Sequence, residues 1–157
     1  MRPAAEPLRL HIERVMPGSP ADAFRAQTDP ALLARWWGPS GFTCPEVALE
    51  PRAAGRLRIT MQPPEGEAFH LAGEFLEFAP PSRLVYTFRW EEPHPDDRET
   101  VVAVRLDPIG GATAMSVDQG DFATAERLAL HVAGWSEALE RLAGTLRGQA
   151  GRGAGKP

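Results

Sequence analysis

The stretch FATAERLALHVAGWSEALERLAGTL, residues 122–146, decides the fold. Within it Ala125, Leu128, Val132, Trp135, Leu139, Leu142 and Leu146 recur at spacings of three and four. That spacing sets them on one stripe of an α-helix. Asp121 or Thr124 can cap its start, Glu126 suits the first turn and Arg147 the last, and Gly148 is expected to stop it. Such a helix spans roughly 38 Å at about 1.5 Å per residue, the width of a small domain. The same spacing also fits a heptad, but the run lasts barely three heptads without regular flanking charges, so a coiled coil is set aside. Gly134 is the odd residue, because mid-helix glycine costs roughly 1 kcal/mol against alanine. Its expected compensation is close approach of a backbone or room beside Trp135.

Working outward, almost everything before this helix reads as strand. Leu8, Leu10 and Ile12 alternate with Arg9, His11 and Glu13. Ser19-Pro20 and Asp29-Pro30 are start signals for short helices, the second carrying Leu32, Leu33 and Trp36 and ending at Gly38-Pro39. From Phe42 the pattern is strand and turn. The alternating sets are Val47 and Leu49; Leu57, Ile59 and Met61; Phe69 to Phe78 with a bulge or kink at Gly73; Leu84, Tyr86, Phe88 and Trp90; Val102, Val104 and Leu106; and Thr113, Met115 and Val117. Their connections are too short for parallel crossovers, so the sheet is antiparallel. The fold class is α+β, in the order strand, two short helices, six strands, long helix. A curved sheet gripping one helix leaves a space between them, where pockets form that are mostly apolar with a few polar groups.

The whole chain sets further bounds. At 157 residues it is one domain, with residues 1–7 read as a flexible N-terminus, 8–147 as the folded domain and 148–157 as a disordered tail. A net charge of −4 offers no basic field for nucleic acid. Cys44, the single cysteine, excludes an internal disulfide and fits a reducing compartment. The first residues lack the apolar core of a signal peptide, and no apolar run approaches the ~20 residues of a membrane span. The expected location is cytoplasmic, with no membrane insertion.

Against this order several local motifs become recognisable. They are Arg14, Thr28-Asp29-Pro30, Trp36-Trp37-Gly38-Pro39, Glu50-Pro51-Arg52 with Ala54-Gly55, Gly73, Pro80-Pro81-Ser82-Arg83-Leu84, and Gly134-Trp135 with Leu139 and Leu142. Together they resemble the START-like (SRPBCC) superfamily, in the branch named after the activator of heat shock protein 90 ATPase. The resemblance spans roughly residues 8–147. It implies a helix-grip, Bet v-type fold with a hydrophobic cavity, and it implies no particular ligand. The family usually has aspartate where Glu50 stands and a second glycine where Ala54 stands, so a tight turn there is expected to be altered.

Chemistry is harder to find. The histidines His11, His70, His94 and His131 make no metal-ligand spacing with one another or with Cys44, so no metal and no cofactor are expected. No nucleophile elbow surrounds Ser136, and Gly110-Gly111 does not open a helix as a phosphate loop does. His94-Pro95-Asp96-Asp97 reads as a solvated acidic turn. Tyr86 either bonds a core group or points into a cavity. Arg52 and Arg58 read as exposed strand residues before ligand contacts.

The missing catalytic motif favours a non-enzymatic binder of a small hydrophobic molecule. The alternatives are a cyclase-like enzyme using Tyr86 or a histidine as acid–base, and a chaperone-associated interaction domain. Candidate ligand-binding residues are Trp37, His70, Tyr86, Phe88, Trp90, Met115, Val117, Gln119, Leu128, His131 and Trp135. The oligomeric state, monomer or homodimer, is left open.

Overall fold

The computed structural model describes residues 7–154, and their side chains as far as Gln149. Strand β1 (Leu10–Met16) is followed by α1 (Pro20–Thr28) and α2 (Pro30–Trp36). Then come β2 (Thr43–Leu49), β3 (Arg56–Gln62), β4 (Phe69–Ala79), β5 (Arg83–Trp90), β6 (Thr100–Ile109), β7 (Ala112–Gly120) and α3 (Ala125–Ala154). The seven strands form one antiparallel sheet in the order β1-β7-β6-β5-β4-β3-β2. This is the helix-grip arrangement expected from the order of elements. No helix among the described residues is long and apolar enough to cross a membrane.

The short helices start where their caps require. The Ser19 hydroxyl accepts from the Asp22 N–H, and the Asp22 carboxylate accepts in return from the Ser19 N–H, a reciprocal capping box. Asp29 accepts from the N–H groups of Ala31 and Leu32, so one residue ends α1 and caps α2.

The long helix departs from its expected limits at both ends. It begins at Ala125 rather than Phe122, because Thr124 is the cap and accepts from the Arg127 N–H at 3.1 Å. Phe122 is buried in the preceding turn, its N–H bonded to the Leu8 carbonyl at 2.8 Å. The helical backbone also continues past Gly148, since glycine weakens a helix without removing an N–H as proline does. Residues 1–6 and 155–157, part of the expected flexible ends, lie outside the described residues.

The buried stripe is Trp135, Ala138, Leu139, Leu142 and Leu146, whereas Ala125 and Val132 are exposed. A seven-residue step drifts about 20° around a straight helix, so the series walks off the buried face toward the N-terminus. Half-buried Leu128 and His131 face the sheet there instead.

Gly73 sits in β4 where a Cβ would run into the Thr87 carbonyl oxygen of β5. The register shift that bends β4 comes just beyond it, between Phe75 and Glu77. The Glu50–Gly55 turn reaches the same strand, with Ala54 N–H bonded to Phe75 O at 2.8 Å and Phe75 N–H to Gly55 O at 2.9 Å. Ala54 holds φ 63°, a left-handed conformation that favours glycine. Ala54→Gly is expected to stabilise the fold by up to about 1 kcal/mol, the relief of strain being offset in part by the entropy of the unfolded glycine. A lower midpoint in urea for this variant would contradict that reading of the turn.

Candidate functional site

Between α3 and the β3–β5 part of the sheet lies a cavity of about 380 Å³. The inward alternation of β3 brings Met61 to its wall, and β4 contributes Phe69 from the facing end of the next strand. Phe88 and Trp90 follow on β5. The opposite wall is α3, with Leu130, His131, Gly134, Trp135 and Ala138. The third side is the turn after α2, with Trp37, Gly38, Pro39 and Phe42.

That turn is fixed by Arg141 of α3. One guanidinium nitrogen donates to the carbonyls of Trp37, Gly38 and Pro39 at 3.0–3.1 Å, and the other to Arg35 and Phe42 at 3.2 Å. A guanidinium has five N–H donors in a rigid fork and can serve several carbonyls at once. Gly38 allows the carbonyls to converge because it holds φ 92°.

The walls are aromatic rings packed edge to face. Trp37 meets Trp135 at 5.4 Å and 78°, Phe88 meets Trp90 at 5.0 Å and 87°, and Phe69 meets Trp90 at 5.3 Å. Trp135 is also tied into the sheet. Its indole N–H donates to Gln119 Oε1 at 2.7 Å, and Gln119 Nε2 donates to Thr100 Oγ1 at 2.9 Å, all buried. A buried amide must be satisfied, and this chain fixes which way Gln119 points.

One end of the cavity is polar. The segment after β5 folds back onto the start of α3 instead of standing in solvent. Arg127 Nε lies 3.0 Å from Asp96 and 3.6 Å from Asp97, and the Thr124 hydroxyl donates to Asp96 at 3.2 Å. The His94 N–H donates to Asp97 Oδ2 at 2.8 Å, and Arg98 donates to the Phe122 carbonyl at 3.2 Å. Glu92, His94, Asp97 and Arg127 all reach the cavity wall. Glu92 is held below the usual carboxylate range chiefly by its hydrogen bond with the His70 ring, at 2.6 Å.

His131 stands where the apolar and polar parts meet, with Phe122 at 4.6 Å, Phe88 at 5.6 Å and Trp90 at 6.2 Å. Its Nδ1 lies 2.8 Å from the Arg127 carbonyl, which can only accept. Nδ1 therefore carries the proton, and in the neutral ring Nε2 is an acceptor. Burial lowers its pKa. The Arg127 carbonyl and the Asp97 charge oppose this, while the Arg127 charge adds to it. A histidine with a lowered native pKa binds its proton more readily when unfolded. Its contribution to stability is present above the unfolded value of about 6.5 and is lost as pH falls from there through the native value. The melting temperature is expected to fall as pH is lowered over that window, and His131→Phe should remove this part of the slope. An unchanged slope in the variant would place the titration elsewhere.

Of the residues expected from sequence, Trp37, Phe88, Trp90, His131 and Trp135 come together on this cavity. Tyr86, Met115, Val117 and Gln119 lie in the close-packed core beside it. Burial raises the Tyr86 phenol well above its ordinary range. Beside Tyr86 and Gln27 is a separate void of about 10 Å³, room for one water. Leu128 packs against the core, and His70 sits on the opposite face of β4 from Phe69 and Leu71. Sequence reasoning missed Met61 and Phe69, although alternation in β3 and β4 carried the signal. It had no signal for Phe42, Glu92, Asp97 or Arg127.

Among the described residues, His70, Glu91 and Glu92 bring ligand-type atoms within 4.8 Å of one another. Those atoms have protein partners: Arg58 grips Glu91 with two bonds of 2.8 and 2.9 Å, and Glu92 accepts from His70 twice. Arg52 is likewise paired, with Glu50 at 3.0 Å. Burial pushes the Cys44 thiol up to about 11, so it is not a thiolate nucleophile at neutral pH.

Comparison with known proteins agrees with this fold. The model of the family described as Activator of Hsp90 ATPase homolog 1-like protein matches residues 17–147. A crystal structure of a Chromobacterium violaceum protein is similar at 26% identity, covering 88% of this chain and 96% of that one, with a TM-score of 0.81. A Silicibacter pomeroyi protein named for the same family is 28% identical, covering 90% and 99% at a TM-score of 0.78. A Rhodobacter sphaeroides protein is 30% identical, covering 89% and 93% at a TM-score of 0.74. Among functionally curated proteins no relative matches.

Proposed function

Given that the chain belongs to the family of Activator of Hsp90 ATPase homolog 1-like proteins, we propose that it binds a small, largely apolar molecule in the cavity under α3, without chemical turnover. The observation that carries this reading is the cavity itself. A space of about 380 Å³ walled by Trp37, Phe42, Phe69, Phe88, Trp90 and Trp135 falls in the range typical of ligand sites. The cost of leaving it empty is unmade contact along every wall, which a ligand would restore. A cytoplasmic setting is part of the same proposal, supported by the single free thiol, Cys44.

Gly134 supplies the test. It lines the cavity, and a Cβ added there meets no heavy atom within 4 Å. Gly134→Leu should therefore fill the space and also favour the helix by up to about 1 kcal/mol. The variant is expected to melt no lower than the parent and to lose binding of apolar probes such as 1-naphthylmethanol, measured by calorimetry. Unchanged probe binding in the variant would remove the cavity from the account.

One observation favours a second reading, an enzyme of the cyclase type. His131 offers a neutral Nε2 acceptor at the cavity, suited to a general base. Tyr86, the other acid–base candidate, is not on this wall. Under this reading His131→Gln would retain ligand binding while abolishing turnover.

A further inference from the structure

The cavity's charged rim narrows the class of ligand, an inference that rests on the binding reading above. Among the described residues that line it, Arg127 is the one arginine or lysine, and Glu92 and Asp97 are the carboxylates. Arg127 is already spanned by Asp96 and Asp97. Around this end the three carboxylates of Glu92, Asp96 and Asp97 outnumber the two guanidiniums of Arg127 and Arg98, and Arg98 donates to the Phe122 carbonyl. An anionic headgroup entering here would compete with Asp96 and Asp97 for Arg127 and meet the Glu92 carboxylate, whose own partners are the backbone N–H and ring of His70. A cation meets the reverse. Each carboxylate of Glu92 and Asp97 retains acceptor capacity beyond its present bonds, since an ionised carboxylate has about four acceptor sites. The neighbouring rings of Trp90 and Phe88 attract a cation held near their faces. His131 Nε2 adds a neutral acceptor.

The geometry points to a ligand with a flat apolar body and one cationic nitrogen, an arylalkylamine, its ring among the aromatic walls and its nitrogen at Glu92 and Asp97. A fatty acid or other carboxylate is the wrong charge for this mouth.

Three probes of nearly equal size separate the cases: 1-naphthylmethylamine, 1-naphthylmethanol and 1-naphthoate, each titrated calorimetrically into the full chain at pH 7.5 and low salt. The expected order is amine, then alcohol, then carboxylate, with roughly tenfold or more between the first and last, as a few ångströms separate the charges at an effectively intermediate dielectric. Glu92 is half exposed, so Glu92→Gln should fold normally. It should cut the amine-to-carboxylate ratio severalfold while leaving the alcohol within about twofold, because only the charge has changed. Alcohol binding with the carboxylate equal to or tighter than the amine would overturn the charge assignment and leave the binding reading intact. So would a ratio untouched by both Glu92→Gln and Asp97→Asn. Failure of all three probes to bind would overturn both.

Discussion

Trp135→Ala is expected to lower the free energy of unfolding by about 3–5 kcal/mol, the cost of truncating a large buried side chain. Trp135 is 5% exposed and packs against Trp37 from the middle of the helix stripe. Its truncation also strands a polar group. Gln119 Oε1 is fully buried and loses its indole donor, a penalty of about 1–3 kcal/mol that places the total in the upper part of the range. Trp135→Phe separates the two contributions, keeping much of the ring contact and losing the hydrogen bond. It should cost about half as much as the alanine variant or less. Urea denaturation of both variants checks the partition. A near-neutral alanine variant would mean that the helix does not present this face to the sheet.

The second large effect is expected at Arg141. Replacing it by methionine leaves the aliphatic contacts and removes the guanidinium donors to the carbonyls of Arg35, Trp37, Gly38, Pro39 and Phe42. Charged hydrogen bonds contribute about 1.5–3 kcal/mol each but are not additive when they share one group, so the expected loss is about 2–4 kcal/mol. Arg141→Lys should recover only part of it, because an ammonium on a flexible stem cannot span five carbonyls. Probe binding should weaken with stability, since the same turn carries Trp37, Gly38, Pro39 and Phe42 to the cavity wall. A lysine variant as stable as the parent would show that the fork geometry is not what holds the turn.

Arg141 also illustrates what a sequence leaves hidden. Alternation in the strands and the Trp135, Leu139, Leu142, Leu146 spacing were legible because they depend on local periodicity alone. The Arg141 contacts join residues about a hundred positions apart, and nothing near Arg141 marks it as different from a surface arginine. The acidic segment misled for the same reason. Asp96 and Asp97 read as solvated until the fold brings Arg127 and Thr124 against them.

Inward phase, similarly, does not say where the helix stands off. Met115 and Val117 point inward as expected but are buried on β7 beside β1, which packs against α3, and Tyr86 faces Gln27 and Leu33 of the short helices instead of α3. The gap opens toward β3–β5, so Met61 and Phe69 reach it while Met115 does not. Filling the cavity is accordingly a task for Gly134 on the helix rather than for Met115.

The central claim is that this gap takes up an apolar molecule, and the indole N–H signals of the four tryptophans report on it directly. Trp37, Trp90 and Trp135 line the cavity, whereas Trp36 is fully buried off its wall with its N–H bonded to the Ala26 carbonyl at 2.9 Å. In a two-dimensional NMR titration with 1-naphthylmethanol, the indole signals of Trp37, Trp90 and Trp135 should move to saturation together and that of Trp36 least. Stationary indole signals at saturating probe, or shifts confined to residues away from the cavity, would contradict the account.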